Sequence, residues 1–199
     1  MSNLPPPPPP PAVTAANQPN NPTVVPAPAV PPAGPPSSVL VHLLIYNGYP
    51  FKDHWAYFVQ SRQHKHIGVK IHATGDVRTG FIFEVKRNHN LEATEDIPTK
   101  VVPLQWVDGA LFDEATISGD DEKEEAIDNK PVGEFEEALY KVDVPGKSLV
   151  GIDDVPREGA GRKVTQRDCQ TWIVESADQL VKDGIFKSEV VDYLRAAQQ

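Results

Sequence analysis

The chain has 199 residues, of which 19 are basic and 28 acidic, for a net charge of −9 and a pI near 5.1. That balance excludes a general nucleic-acid binder, which needs a basic face, and the single cysteine excludes both an internal disulfide framework and a cysteine-rich zinc site. Neither a run of 18 apolar residues nor a basic stretch followed by an apolar one occurs, so no transmembrane segment and no secretory leader are expected; a soluble protein of a reducing compartment, cytoplasmic or nuclear, is.

Residues 1–38 contain no Asp, Glu, Lys or Arg and 15 of the 21 prolines. They read as a disordered, proline-rich tail. Residues 5–11 are seven consecutive prolines, stiff in polyproline II, and serve either as a spacer or as the ligand of a polyproline-binding partner. Residues 39–199 read as one folded domain. Residues 39–46 (VLVHLLIY) form an apolar run short enough for a buried strand, and Asn47-Gly48-Tyr49-Pro50 is turn chemistry. Residues 54–60 (HWAYFVQ), 67–73 and 80–87 (GFIFEVKR) read as three further strands, with a turn at Gly75-Asp76. Residues 100–107 give a fifth, placed at an edge by Pro103.

Splitting the charge isolates one stretch. Residues 39–112 carry 8 basic and 7 acidic groups, residues 138–199 carry 9 and 10, and residues 113–137 carry 2 and 11. The stretch 113–137 reads as a solvated acidic connecting loop, partly disordered, or as an acidic docking strip or lid. Its end, 134–142, suits a short helix. Residues 166–181 have a helical apolar stripe through Cys169, Trp172, Ile173, Ala177 and Leu180, with Gly184 as terminator. Ser188 is placed to cap a last helix. Strands in the first half and helices in the second give an α+β fold, an antiparallel sheet with C-terminal helices.

Pairing the second and third strands so that residue numbers sum to 126 puts Trp55 opposite Ile71, Tyr57 opposite Val69 and Val59 opposite Ile67, all on one face. The other face then sets His54 across from His72. Cys169 falls near the start of the best helix, where free N–H groups favour a thiolate and can stabilise an oxyanion. Asp168 opposes the thiolate, or caps the helix with Arg167 offsetting its charge. A thiol, an imidazole and a group orienting it form a nucleophilic set.

The run His54-Trp55-Ala56-Tyr57-Phe58-Val59 resembles the first histidine strand of the lecithin-retinol acyltransferase and phospholipase A/acyltransferase families, in the circularly permuted branch of the NlpC-like papain fold. His72 matches their second histidine, and Asp168-Cys169-Gln170-Thr171-Trp172 is similar to their Asn-Cys-Glu-His-Phe-like motif. The chain from about Val39 to Leu194 also resembles a group of uncharacterised fungal proteins with a Gly-x-Pro turn, His-Trp, His-x-Thr-Gly-Asp and Asn-Cys-Gln-Thr-Trp. This resemblance implies a circularly permuted papain-like domain with Cys169 as nucleophile, His54 as general base and His72 orienting it. Asp168 and Gln170 depart from the motif, the two histidines are further apart, and the C-terminal segment is polar where those acyltransferases have an apolar anchor.

His64 and His66 form a His-x-His pair in the proposed hairpin loop, without a third donor nearby. The glycines at 146, 151, 159 and 161 lack phosphate-loop spacing; Gly159 to Gly161 reads as a flexible approach to the cysteine helix. No cofactor and no metal is expected. The function expected is hydrolysis or transfer of an acyl group, as an amide, ester or thioester of an acyl-bearing substrate, through Cys169. The alternatives are an inactive interaction module using the tail and the acidic loop, and a single-thiol redox sensor.

Overall fold

A computed structural model describes residues 25–120, 122–147 and 166–199. Residues 5–11, Asp121 and most of the glycine-rich stretch approaching the cysteine helix lie outside them. Six strands, β1 (Ser38–Tyr46), β2 (His54–Gln60), β3 (Ile67–Asp76), β4 (Gly80–Asn90), β5 (Lys100–Asp108) and β6 (Ala126–Asp128), form one sheet in the order β5-β1-β2-β3-β4-β6. Every pairing is antiparallel. The helices are α1 (Glu114–Ile117), α2 (Glu134–Tyr140), α3 (Cys169–Lys182) and α4 (Ser188–Ala197). The fold is therefore α+β with C-terminal helices. Among the described residues no helix is long and apolar enough to cross a membrane.

Alternation along the strands sorts the side chains onto two faces. Trp55, Tyr57, Val59, Val69, Ile71 and Val85 belong to the main core, together with Phe135 of α2, Trp172 and Leu180 of α3 and Leu194 of α4. Tyr57 is fully buried, and its hydroxyl donates to the Ile173 carbonyl at 2.8 Å, which locks β2 to α3. The opposite face holds a smaller cluster of Leu44, Tyr46, Ala56 and Phe58. There Lys70 lies only 1% exposed, its ammonium 4.2 Å from the Tyr46 ring centroid and 3.1 Å from Asp96.

The β2–β3 register differs from the expected one. Tyr57 pairs with Ile71 and Val59 with Val69, a shift of two residues. A shift of two keeps every side chain on its expected face, so the apolar match could not distinguish the two registers. The hairpin loop correspondingly spans residues 61–66, one longer than expected. β3 runs on through Gly75-Asp76, where a turn was expected, and the β3–β4 turn occupies residues 77–79. Asp76 caps that turn by accepting from the N–H groups of Arg78 and Thr79 at 2.7 and 2.9 Å. Pro103 does lie on an edge strand. It sits opposite His42 at a bulge, where a missing N–H is tolerated. α4 begins one residue before its expected start, with Lys187 at the cap position and no side-chain capping bond, so Ser188 is not the cap.

Two expected disordered or solvated stretches are built into the domain. The end of the tail, residues 28–36, lies against Trp106 and the start of α4. The acidic stretch 113–137 supplies α1, β6 and the first turn of α2, and its carboxylates meet cations of the domain: Glu114 pairs with Arg62, and the later ones face β4. Arg87 forks onto Glu136 at 2.8 and 2.9 Å and reaches Asp128 at 3.4 Å, while Lys86 and His89 meet Glu125. Glu136 is 1% exposed and also accepts from the Val132 N–H at 2.7 Å. Removing its cation leaves a buried carboxylate uncompensated. Arg87→Ala is therefore expected to lower unfolding stability by about 3 kcal/mol in urea titrations, and the double change Arg87→Met with Glu136→Leu to recover most of that loss.

Candidate active site

Cys169 is the first residue of α3 and is 8% exposed. The helix starts there because Asp168 caps it, its Oδ1 accepting from the Thr171 N–H at 2.9 Å. Lys52 fixes the other carboxylate oxygen at 2.8 Å. The expected partner, Arg167, instead pairs with Glu175 and donates to the Asp143 carbonyl. Gln170 is fully buried and donates to the Asp53 carbonyl at 2.8 Å. The helix start is thus fastened to the residues that lead into β2.

His54 opens β2. Its Nε2 lies 2.7 Å from His72 Nδ1. In the observed register the two residues are diagonal neighbours rather than opposite one another, a separation imidazole rings can still span. His72 pairs directly with Glu84 of β4, and His72 Nε2 lies 2.9 Å from Glu84 Oε1. These contacts set the protons in order. A carboxylate only accepts, so His72 carries its proton on Nε2 and has a bare Nδ1. That nitrogen accepts from His54 Nε2–H. The neutral His54 ring is left with Nδ1 as its basic atom.

Burial pushes the His54 pKa down to about 4, with the Lys70 charge adding to the effect. Burial, then the neighbouring His54 and Lys70, lowers His72 further. Both rings are neutral at pH 7, so the His72–Glu84 contact is a hydrogen bond from a neutral donor rather than an ion pair. Burial also pushes the Cys169 thiol up, and the Asp168 charge adds to this, against the N–H groups of Trp55, Gln170 and Cys169 itself. The lowered thiol pKa expected from a helix N-terminus is overturned: desolvation of a nearly buried sulfur outweighs the helix end.

His54 and Cys169 line one open cleft of about 1090 Å³, with Lys52, Asp168, Arg78 and Phe81 around them. They reach it from opposite faces of the sheet. The His54 ring lies beside Tyr46 (centroids 5.9 Å apart), whereas Cys169 packs in the main core. No hydrogen bond joins the two side chains. His72 and Glu84 sit behind His54 and do not line the cleft. Gly75 forms part of its wall; its φ is +133° and a Cβ there would meet the Gly80 carbonyl oxygen at 2.3 Å, so this end of β3 requires glycine.

Glu84 was missed by the sequence reading. It is the only acidic residue in the fourth strand's GFIFEVKR, and the tight hairpin around residues 77–79 would have placed it opposite His72. His64 and His66 lie in the β2–β3 loop with ring centroids 5.9 Å apart. Among the described residues no group of three His, Cys, Asp or Glu side chains is arranged to hold a metal ion.

The molecule is thus an α+β domain with a thiol at a helix start and a strand-borne pair of histidines sharing one cleft. It belongs to a family of unknown function, DUF6540, whose family model matches residues 41–187, a span that includes His54, His72, Glu84 and Cys169. No match was found among curated proteins or among solved structures.

Two measurements check the electrostatics. Burial lowers His42 to about 4, as for His54, and His72 and His89 are lowered as well. For His42 and His54 the unfolded chain protonates below about pH 6.5 while the folded chain keeps the rings neutral until near pH 4. Stability is therefore full above pH 6.5 and falls as pH drops toward 4, by about 1.4 kcal/mol per pH unit for each ring; urea midpoints at pH 7, 6 and 5 read this out. Iodoacetamide alkylation of the only thiol is expected to titrate above the free-cysteine value of ~8.5 in the folded chain and to return to it in urea.

Proposed function

We propose that this domain is a thiol-dependent acyl hydrolase or acyltransferase of circularly permuted papain-like type, working through an acyl-Cys169 intermediate. The observation that carries the proposal is the ordered chain Glu84–His72–His54, which leaves Nδ1 as the basic atom of His54, a residue that lines the same cleft as Cys169. The histidine strand precedes the cysteine helix, as the permuted order requires.

The resting site holds a neutral thiol and a neutral imidazole, so the proton moves during attack. His54 Nδ1 takes the proton of the Cys169 thiol, directly or through one water, since catalytic hydrogen bonds often tighten only once substrate is bound. Sγ attacks the carbonyl carbon of an amide, ester or thioester. The N–H groups of Cys169 and Gln170, free of intrahelical partners at the helix start, meet the oxyanion. The leaving group departs with the proton held on His54. A water or an acceptor nucleophile then gives its proton to His54 Nδ1 and attacks the acyl carbon, which releases the acyl group and returns the thiol. His72 and Glu84 are positioning residues: they hold the tautomer and stabilise the imidazolium that forms in between. A redox sensor fits less well, because such thiols are exposed and acidic, and this one is buried with its pKa raised.

The test is a panel of activated esters, amides and acyl thioesters, with mass spectrometry of the cysteine peptide. Expected are an acyl adduct on Cys169, no turnover with Cys169→Ala, and a loss of about 10²–10⁴ with His54→Ala. Glu84→Gln can present either an acceptor or a donor to His72 and so scrambles the tautomer. It is expected to lower kcat by about 10² with KM little changed. Absence of any adduct across the panel, or full turnover by Cys169→Ala, overturns the proposal.

A further inference from the structure

Trp106 lies near the end of the edge strand β5, half-buried, and its indole N–H donates to the carbonyl of Pro31 at 2.8 Å. The stretch it holds, residues 28–35, reads PAVPPAGP. The opposite wall is the start of α4, through Lys187, Glu189 and Val190. That wall is fixed to β5 by Gln105, whose carboxamide donates to the Ile185 carbonyl at 2.9 Å and accepts from the Lys187 N–H at 2.8 Å. The groove is thus part of the rigid domain, built independently of what lies in it.

We propose that the groove between Trp106 and the start of α4 is a recognition site for proline-rich peptides, occupied in cis by the chain's own residues 28–35 and available to a proline-rich segment of another protein when that stretch is released. Three features carry this. The first is the direction of the hydrogen bonds. Prolines offer carbonyls and no N–H groups, so a proline-rich segment cannot extend the sheet at β5 and must be read by donors. The groove supplies such a donor, the Trp106 indole N–H to the Pro31 carbonyl; beyond the groove, Arg62 and the Gly109 N–H hold the Ser37 carbonyl at 2.9 and 3.1 Å, where the segment runs into β1. An aromatic face with an indole N–H is the usual reader of such segments, which are already stiff and lose little entropy on docking.

The second feature is closeness of fit at one point. A Cβ on Gly34 would lie 2.3 Å from Trp106 Cδ2 and 2.5 Å from Ser38 Oγ, so the segment lies with its backbone directly on the indole. The third is looseness elsewhere. A cavity of about 480 Å³ remains between the segment and the groove, and Pro31, Pro32 and Pro35 stay exposed. The tail is held by a few contacts and by its covalent tether, which suits exchange. The tether acts as an effective concentration of the order of millimolar, so an external peptide competes poorly until the tail is dislodged.

Gly34→Val in the full chain provides the test, since it removes the tail from the indole without altering the groove. A synthetic peptide of residues 25–38 with the native sequence is titrated into wild-type and variant chains, and the Trp106 indole N–H resonance is followed. The expected result is binding by Gly34→Val at least about tenfold tighter than by the wild-type chain, with the Trp106 resonance moving toward its wild-type position. Adding Trp106→Phe, which keeps an aromatic ring and removes the donor, is expected to abolish the gain; far-ultraviolet circular dichroism and urea midpoints confirm that both variants fold. No binding by the folded Gly34→Val chain, or binding indifferent to Trp106→Phe, overturns the proposal. So does a concentration-dependent dimer of the wild-type chain that Trp106→Phe dissolves, because the occupant would then be the tail of a second copy.

Discussion

The attachment of the α3 start to the head of β2 is the constraint on which the site depends. Two bonds make it: Gln170 to the Asp53 carbonyl, and Lys52 to the capping carboxylate of Asp168. Both join residues more than a hundred positions apart, and both involve a motif residue or its immediate neighbour. Hydrophobic packing of Tyr57 and Trp172 brings α3 onto the sheet, but packing is non-directional. The hydrogen bonds settle which turn of the helix meets which strand residue. The same fastening that brings Cys169 to the cleft also buries it, so the thiol's raised pKa follows from the way the site is assembled.

The second polar feature runs crosswise. Glu84, His72 and His54 lie on three adjacent strands of the face away from α3, close to the buried Lys70 and Tyr46 and to Asp96. A ring in this surrounding is desolvated and faces a nearby ammonium, so neutrality at pH 7 is expected from both effects. Glu84 then matters for geometry more than for charge. It fixes one proton, and one ring-to-ring contact later that choice determines which nitrogen of His54 is basic.

Much of this was legible in the sequence, and the reasons for what was not are specific. Strand positions followed from alternation, and the edge position of β5 followed from Pro103. His54, His72 and Cys169 stood out by residue type and by resemblance, and the structure brings the two histidines into contact and puts His54 and Cys169 on one cleft. The β2–β3 register came out two residues off because apolar matching has a period of two and cannot see such a slip. Glu84 escaped notice because a lone carboxylate in an alternating strand looks like an ordinary solvent-facing residue until the hairpin partner is drawn. The acidic stretch is mostly exposed, as expected of a solvated segment, but its ion pairs were not visible because Lys86 and Arg87 lie some 40 residues earlier, and composition counts charge without locating the opposite sign. The thiol pKa was misjudged for a related reason: a helix N-terminus is visible in sequence, and the burial that outweighs it is not.

A neutral resting pair constrains the chemistry in one further way. Where a thiolate–imidazolium pair exists beforehand, the thiol is nucleophilic toward many electrophiles whether or not substrate is bound. In the proposed reaction a thiol with a raised pKa gives its proton to a base with a lowered one, a transfer that is uphill in the free protein. On that proposal binding improves it, by closing the distance between Cys169 and His54 and by presenting a carbonyl whose developing oxyanion the N–H groups of Cys169 and Gln170 can hold. Those interactions exist only as charge develops, which is where binding energy accelerates a reaction. If the proposed acyl chemistry holds, selectivity in such a site comes from the acyl group that fits the cleft beside Lys52, Arg78 and Phe81 rather than from the intrinsic reactivity of the sulfur.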